Sequence, residues 1–178
     1  TSVDLLFFRF IQAKQSQPSR WLFFNRNRAS ADYAALRARQ PVQFGFTEAI
    51  SYHLPGAKGW APVLVGQLLN QGVYAKTGVQ WSAQKKQWTA FGWAVAEINA
   101  DPNIDLFLLC RYTPALSSTI RLFTQLELLQ NIPTVQQRFF SFTQRIRLGL
   151  TFQALQIGAG ADCLQTGRHS WEAFSNLG

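Results

Sequence analysis

Residues 137–165 read QRFFSFTQRIRLGLTFQALQIGAGADCLQ, and two kinds of side chain alternate along this stretch. Between 140 and 150 the even positions are apolar except Gln144, whereas the odd positions carry serine, threonine, two arginines and glycine. After a break near 152–155 the alternation resumes as far as Asp162. A period of two is the signature of a β-strand with one apolar and one polar face. Two such strands joined by a short turn predict an antiparallel hairpin.

The same alternation recurs along most of the chain. It is clear in the segments 20–28, 41–53, 73–83, 88–98, 104–113 and 119–129, and less regular in 3–14. Residues 60–70 are continuously apolar, which fits either a strand or a short helix. Residues 29–40 contain helix-forming residues and predict a loop with a helical turn, and a further strand begins at Trp171. The segments between turns have about 9–13 residues, enough to cross a bilayer obliquely as strands.

The composition limits the class of protein. The 178 residues are 47% hydrophobic and only 15% charged, whereas a typical soluble domain has roughly 25% charged residues. No uncharged apolar run is long enough for a transmembrane helix. No basic n-region or apolar h-region is visible at the start, so we expect a signal peptide to have been removed. Residues 1–178 are predicted to form one β-barrel domain that lacks the end of its last strand.

Turn lengths and tryptophan positions distinguish the two rims of the predicted barrel. The breaks near 84–86, 114–118 and 152–155 are short, and those near 29–40, 99–103, 130–136 and 164–170 are longer. Short turns at one rim and longer loops at the other are typical of outer-membrane barrels. Five of the six tryptophans fall near strand ends, as an aromatic girdle requires: Trp21, Trp60, Trp81, Trp88 and Trp171.

In these features the chain resembles the small outer-membrane β-barrel proteins of Gram-negative bacteria. The resemblance rests on pattern over nearly the whole sequence and on no motif specific to one family. It implies an all-β fold, an antiparallel transmembrane barrel of about ten strands, within 8–12. The apolar faces would contact lipid and the polar faces would form an arginine-rich lumen, and the protein would lie in the bacterial outer membrane.

The charged residues of the strands are assigned to this lumen, because an ionised group is costly in lipid. The basic residues so assigned are Arg9, Arg26, Arg28, Lys76, Arg111, Arg121, Arg145 and Arg147; the acids are Glu97, Asp105 and Glu127. Narrow barrels are normally filled by side chains. We therefore expect a structural or accessory barrel, plugged by ion pairs in which the acids bridge arginines. A narrow anion-preferring pore is the alternative.

Two further functional classes remain open. A lipid-modifying or hydrolytic enzyme would use His169, beside Ser170, but no nucleophile–base–orienter set follows from the spacing, so no catalytic residue is predicted. His53 is interpreted as a turn histidine. A soluble basic β-barrel would need polar outward faces, and the even positions of 88–98 have none.

The remaining predictions concern ligands and partners. Cys110 and Cys163 are expected to be free thiols, and no Cys/His spacing suggests a metal or cofactor. The net charge of +8 comes largely from singly interleaved basic residues, so no nucleic-acid partner is expected. The expected partners are outer-membrane lipid and lipopolysaccharide, and a membrane protein contacted through the loops. The lipopolysaccharide phosphates would meet the loop residues Arg37, Arg39 and Arg168.

Overall fold

The computed structural model describes residues 2–13, 17–31, 42–135, 140–153, 155–167 and 171–177. These residues form eleven β-strands: β1 (Ser2–Ala13), β2 (Gln17–Ala31), β3 (Val42–Tyr52), β4 (Trp60–Leu69), β5 (Gly72–Gln84), β6 (Trp88–Glu97), β7 (Asn103–Tyr112), β8 (Ile120–Pro133), β9 (Phe140–Phe152), β10 (Leu155–Gly167) and β11 (Trp171–Leu177). The all-β prediction is confirmed, and the strand number lies within the predicted range. None of the described residues belongs to a helix that could cross a membrane.

The ambiguous segments of the sequence are now assigned. Residues 60–69 form a strand, and β2 continues to Ala31, three residues into the predicted loop. The predicted helical turn in the remainder of that loop lies outside the described residues.

The prediction that the connections at one rim are short and those at the other are longer is wrong in part. The connection 113–119 between β7 and β8 has seven residues, whereas 98–102 between β6 and β7 has five.

The chain divides into two compact units, Thr1–Val79 and Gln80–Gly178, and the division falls within β5. In the first unit β1 to β4 pair antiparallel in chain order. In the second unit β6 to β11 do the same. The prediction that residues 1–178 form one domain stays a prediction.

In the first unit the sheet is apolar on both faces. Along β4 buried and exposed positions alternate, as a strand with one covered face requires. The buried face carries Leu22, Phe24, Ala49, Ala61, Val63 and Val65. The exposed face carries Leu5, Phe7, Trp21, Phe44, Phe46, Ile50, Trp60, Leu64 and Leu68. The burial of one apolar face contributes to folding, while the other leaves large apolar side chains uncovered.

The second unit repeats this arrangement, and its buried face has two regions. On β6 and β7 that face is aromatic and aliphatic: it comprises Phe91, Trp93, Val95, Phe107 and Leu109. The rings of Trp93 and Phe107 are 5.2 Å apart between centroids. Polar side chains dominate the same face only on β8 to β10. The predicted polar face is thus found on part of the sheet, because alternation cannot tell which side of an apolar strand such as β6 is covered.

Candidate functional site

Cross-strand register brings the charged residues of β8, β9 and β10 into adjacent rows on the buried face. Arg145 of β9 stands opposite Glu127 of β8 on one side and Asp162 of β10 on the other. Two residues further along β9, on the same face, Arg147 stands opposite Gln125 of β8 on one side and Gly160 of β10 on the other. Residues directly opposite each other in an antiparallel pair share a face and lie close enough to interact. The register therefore places Arg145 between two acids, with Arg147 beside it on the same face of β9.

These side chains form ion pairs across three strands. Nη1 of Arg145 lies 3.4 Å from Oε2 of Glu127, and its Nε lies 3.4 Å from Oδ2 of Asp162. Nη1 of Arg147 lies 2.5 Å from Oδ1 of Asp162. The side chain of Arg145 is only 12% exposed. A nearly buried guanidinium needs compensating charge, and the two carboxylates supply it.

Hydrogen bonds extend the chain of contacts to β7. Both Nε and Nη2 of Arg111 donate to Oε1 of Gln125, at 2.9 and 2.6 Å. Nε2 of Gln125 donates to Oε1 of Glu127 at 2.5 Å. The guanidinium of Arg111 also lies over the ring of Phe123, 5.3 Å from its centroid. We call the six linked residues the charge ladder: Arg111, Gln125, Glu127, Arg145, Arg147 and Asp162.

The glycines of β10 make room for this ladder. A Cβ at Gly160 would lie 2.5 to 2.9 Å from Cδ, Nη1 and Nε of Arg147, so this arginine lies against the glycine backbone. From there its Nη1 also donates to the carbonyl of Ile146 at 3.1 Å. Gly158 stands opposite Gly149, and a Cβ on either would collide with the other strand's backbone. The glycine-rich sequence IGAGAD is therefore explained by close approach of neighbouring groups.

Asparagine side chains donate hydrogen bonds to Glu97 and Asp105, the other two acids that were assigned to the lumen. Glu97 accepts hydrogen bonds from the side chains of Asn99 and Asn103, at 2.9 and 3.0 Å. Asp105 accepts one from Asn131 at 2.6 Å. Both acids are buried. The predicted ion pair between an acid and an arginine is present at Glu127, which pairs with Arg145. The asparagines were not predicted, because they lie near strand ends and in a turn.

The remaining predicted lumen residues lie in several places. Arg26 and Arg28 are half-buried and lie on the same face of β2 as the buried Phe24, as predicted. Lys76 is buried, with Nζ 5.9 Å from the centroid of Tyr74. Arg121 is exposed at the start of β8.

Arg9 contradicts its assignment to the polar interior. It pairs with Phe23 and lies on the exposed face. The alternation of residues 3–14 is irregular, so the position of Arg9 depends on register with β2, which the sequence does not reveal. Near it on the same face, Nδ2 of Asn25 donates to Oε1 of Glu48 at 3.3 Å, and Nδ2 of Asn27 donates to Oδ1 of Asn25 at 3.0 Å. The exposed face of the first unit therefore carries a polar patch, defined here as Arg9, Asn25, Asn27 and Glu48.

Sequence reasoning missed two members of the charge ladder, Gln125 and Asp162. Both occupy the polar phase of their strands, so the pattern indicated the correct face. It did not indicate their partners on neighbouring strands, which depend on register: Arg111 lies 14 residues before Gln125, and Arg145 lies 17 residues before Asp162 (162 minus 145). His169, which the enzyme alternative would use, lies outside the described residues, as do Arg37, Arg39 and Arg168.

The described residues offer this site no metal-binding chemistry. Among them, no group of three or more His, Cys, Asp or Glu side chains is arranged to hold a metal ion. Cys110 and Cys163 are free thiols, as predicted. The ladder thus consists of paired charges and amides, an arrangement that stabilises a structure and fixes charge in place. No protein-family model matches the chain, and no curated protein or solved structure is significantly similar to it.

Proposed function

We propose that this chain is an outer-membrane β-barrel with a structural or accessory role, whose interior is closed by ion pairs. One observation carries the proposal. In the second unit the face carrying Leu148 and Ile146 is apolar and exposed, while the charged side chains gather in paired form on the opposite face. A soluble sheet would reverse this arrangement, because it would gain nothing by presenting apolar rows to water.

The exposed apolar face is continuous across strands. In the row of Leu122, Leu150 and Ile157, each residue stands opposite the next across β8, β9 and β10. Leu126 and Ile146 form another such pair. Monomeric soluble proteins rarely expose contiguous apolar patches of more than a few hundred Å². The hydrocarbon of a bilayer is the environment in which these rows are most stable.

The charge ladder favours a closed interior over an anion pore. Its three arginines face two carboxylates, which leaves a formal charge of +1 (three minus two). An anion pathway needs arginines whose charge is available to the ion, and Arg145 and Arg147 are already paired. The ladder instead supports a barrel whose interior is held by its own side chains.

The polar patch of the first unit supports an accessory role. Arg9 and Glu48 are exposed on an otherwise apolar face, and charged groups are expensive in lipid unless a partner or water meets them. A membrane protein partner covering this patch would supply polar contacts beyond the hydrogen bonds within it. Outer-membrane lipid, including lipopolysaccharide, would surround the rest of the face.

Two matched arginine substitutions test the proposal. Leu148, on the exposed face of β9, and Leu116, in the turn before β8, are 56% and 60% exposed. Leu148→Arg should cost about 2–4 kcal/mol of stability in the membrane, whereas Leu116→Arg should cost little. The measurement is insertion into lipid vesicles, followed by gel mobility with and without heating. Equal assembly of both variants, or full solubility without detergent, would overturn the proposal.

A further inference from the structure

A second group of side chains lies on the exposed face, at one end of β6. Lys85 and Trp88 exchange backbone hydrogen bonds at 2.8 and 3.2 Å, which closes a tight turn with Lys86 and Gln87 at its tip. Trp88 stands opposite Tyr112 of β7, and their rings stack with centroids 4.3 Å apart and planes 25° apart. Opposed residues of antiparallel strands share a face. Lys85 in the turn, Trp88 of β6 and Tyr112 of β7 therefore form a row, which we call the turn row.

The turn row is both exposed and cationic. Trp88 is 54% exposed, and Lys85 and Lys86 are exposed beside it. Residues 80–96 and 106–126 contain no aspartate or glutamate, so the sequence places no acid near the two ammonium groups on these strands. A partly exposed pair of aromatic rings flanked by lysines is suited to the membrane interface, where the hydrocarbon core meets the lipid headgroups.

Apolar surface continues from the ring pair toward the middle of the strands. Leu108 and Leu106 of β7 are exposed on the same face as Tyr112, at successive alternate positions beyond Cys110. A ligand lying along this face would meet positive charge, then aromatic rings, then aliphatic side chains. That order of chemistry matches a phospholipid, from phosphate through glycerol esters to acyl chain.

We propose that the turn row, with Lys86, binds the headgroup of an anionic phospholipid. The phosphate lies between the two lysine ammonium groups, the ring pair contacts the glycerol region, and an acyl chain lies over Leu108 and Leu106. A lipid with net negative charge is preferred because the cationic choline of a zwitterionic lipid is repelled by the same lysines. This proposal rests on the membrane location proposed above and deepens it by assigning a lipid class to one end of the sheet.

Native mass spectrometry on the full chain tests this site. The protein is refolded into vesicles of equal parts phosphatidylglycerol and phosphatidylcholine and then extracted in mild detergent, and its retained lipids are counted. We expect phosphatidylglycerol to be retained in preference. The double substitution Lys85→Gln with Lys86→Gln should lower that preference by roughly five-fold per lysine, the effect of one lysine near an anionic surface.

Two controls separate the site from general positive charge. Lys58→Gln removes a turn lysine from the first unit and should leave the preference unchanged. Lys85→Arg with Lys86→Arg keeps both charges and should retain it. An inserted wild-type protein without lipid preference, or a double glutamine variant that keeps it, would overturn the lipid site and leave the barrel proposal standing. Failure of the wild-type protein to insert would overturn both.

Discussion

Arg147 lies directly against the backbone of Gly160, its partner across β9 and β10. In this position its guanidinium reaches Asp162, the carboxylate that also pairs with Arg145. The contact is possible because glycine has no Cβ, and Asp162 then serves two arginines at once. The absence of a Cβ at Gly160 thus determines the geometry of this end of the charge ladder.

Replacing Gly160 by alanine should displace Arg147 from Asp162. The new Cβ would approach Cδ of Arg147 to 2.5 Å, and the arginine must move away. We expect a loss of about 1–3 kcal/mol in the free energy of unfolding, the usual value of a charge-assisted hydrogen bond. Thermal unfolding in detergent measures it. Gly66→Ala is the control, since a Cβ there meets nothing within 4 Å, and an equal loss in both variants would contradict this role of Gly160.

The conductance of the barrel should depend on Asp162. Purified wild-type protein, shown to be folded and inserted in a planar bilayer, should be silent. Asp162→Asn removes the carboxylate shared by Arg145 and Arg147. Arg145 keeps its ion pair with Glu127, whereas Arg147 loses its carboxylate, and its charge should produce anion-selective current steps. Asp101→Asn, in the turn between β6 and β7, is the control and should stay silent. Steady anion-selective conduction by the wild-type protein would favour the pore alternative instead.

The stability of the first unit should fall below neutral pH because of His53. Burial lowers the pKa of His53 from its ordinary value of 6.5, so the folded state favours the neutral ring, which meets Phe10 edge-on at 5.2 Å. Well above pH 6.5 the ring is neutral in both the folded and the unfolded state, so its burial makes no pH-dependent contribution to the free energy of unfolding. As the pH falls from 6.5 through the lower native pKa, the unfolded chain binds the proton more readily, and stability is lost.

Thermal unfolding at pH 7.5 and pH 5.5 measures this effect. The wild-type protein should lose more stability between these pH values than His53→Gln, because glutamine at position 53 does not titrate. If both proteins show the same dependence on pH, the histidine is not responsible.

The two thiols should report on the environment of the exposed face. Cys110 stands opposite Ala90 and Leu126, and Cys163 opposite Gln144, all on that face. In vesicles a charged, membrane-impermeant maleimide should leave both unmodified, because the hydrocarbon excludes the charged reagent. Ser117→Cys, in the exposed turn before β8, should react in the same sample. Rapid modification of all three would indicate that water covers this face.

The sequence predicted the faces of the strands better than it predicted their contacts. Alternation correctly grouped Arg145 with Arg147, and the polar phase included Gln125 and Asp162. It failed at Arg9, because the alternation in β1 is irregular and the face of each residue there follows from register with β2. It could not show that the buried side of β6 is aromatic, because both sides of that strand are apolar.

The sequence by itself determined the alternating strands and the division of their side chains between two faces, since both follow from a local period of two. Only the tertiary structure decided which residues meet. Arg145 lies between Glu127 and Asp162, and Trp88 stacks on Tyr112, because of cross-strand register. Register arises from backbone pairing between segments distant in sequence, and a one-residue shift would change every partner. No local pattern carries that information, so the charge ladder and the turn row became visible only in the folded sheet.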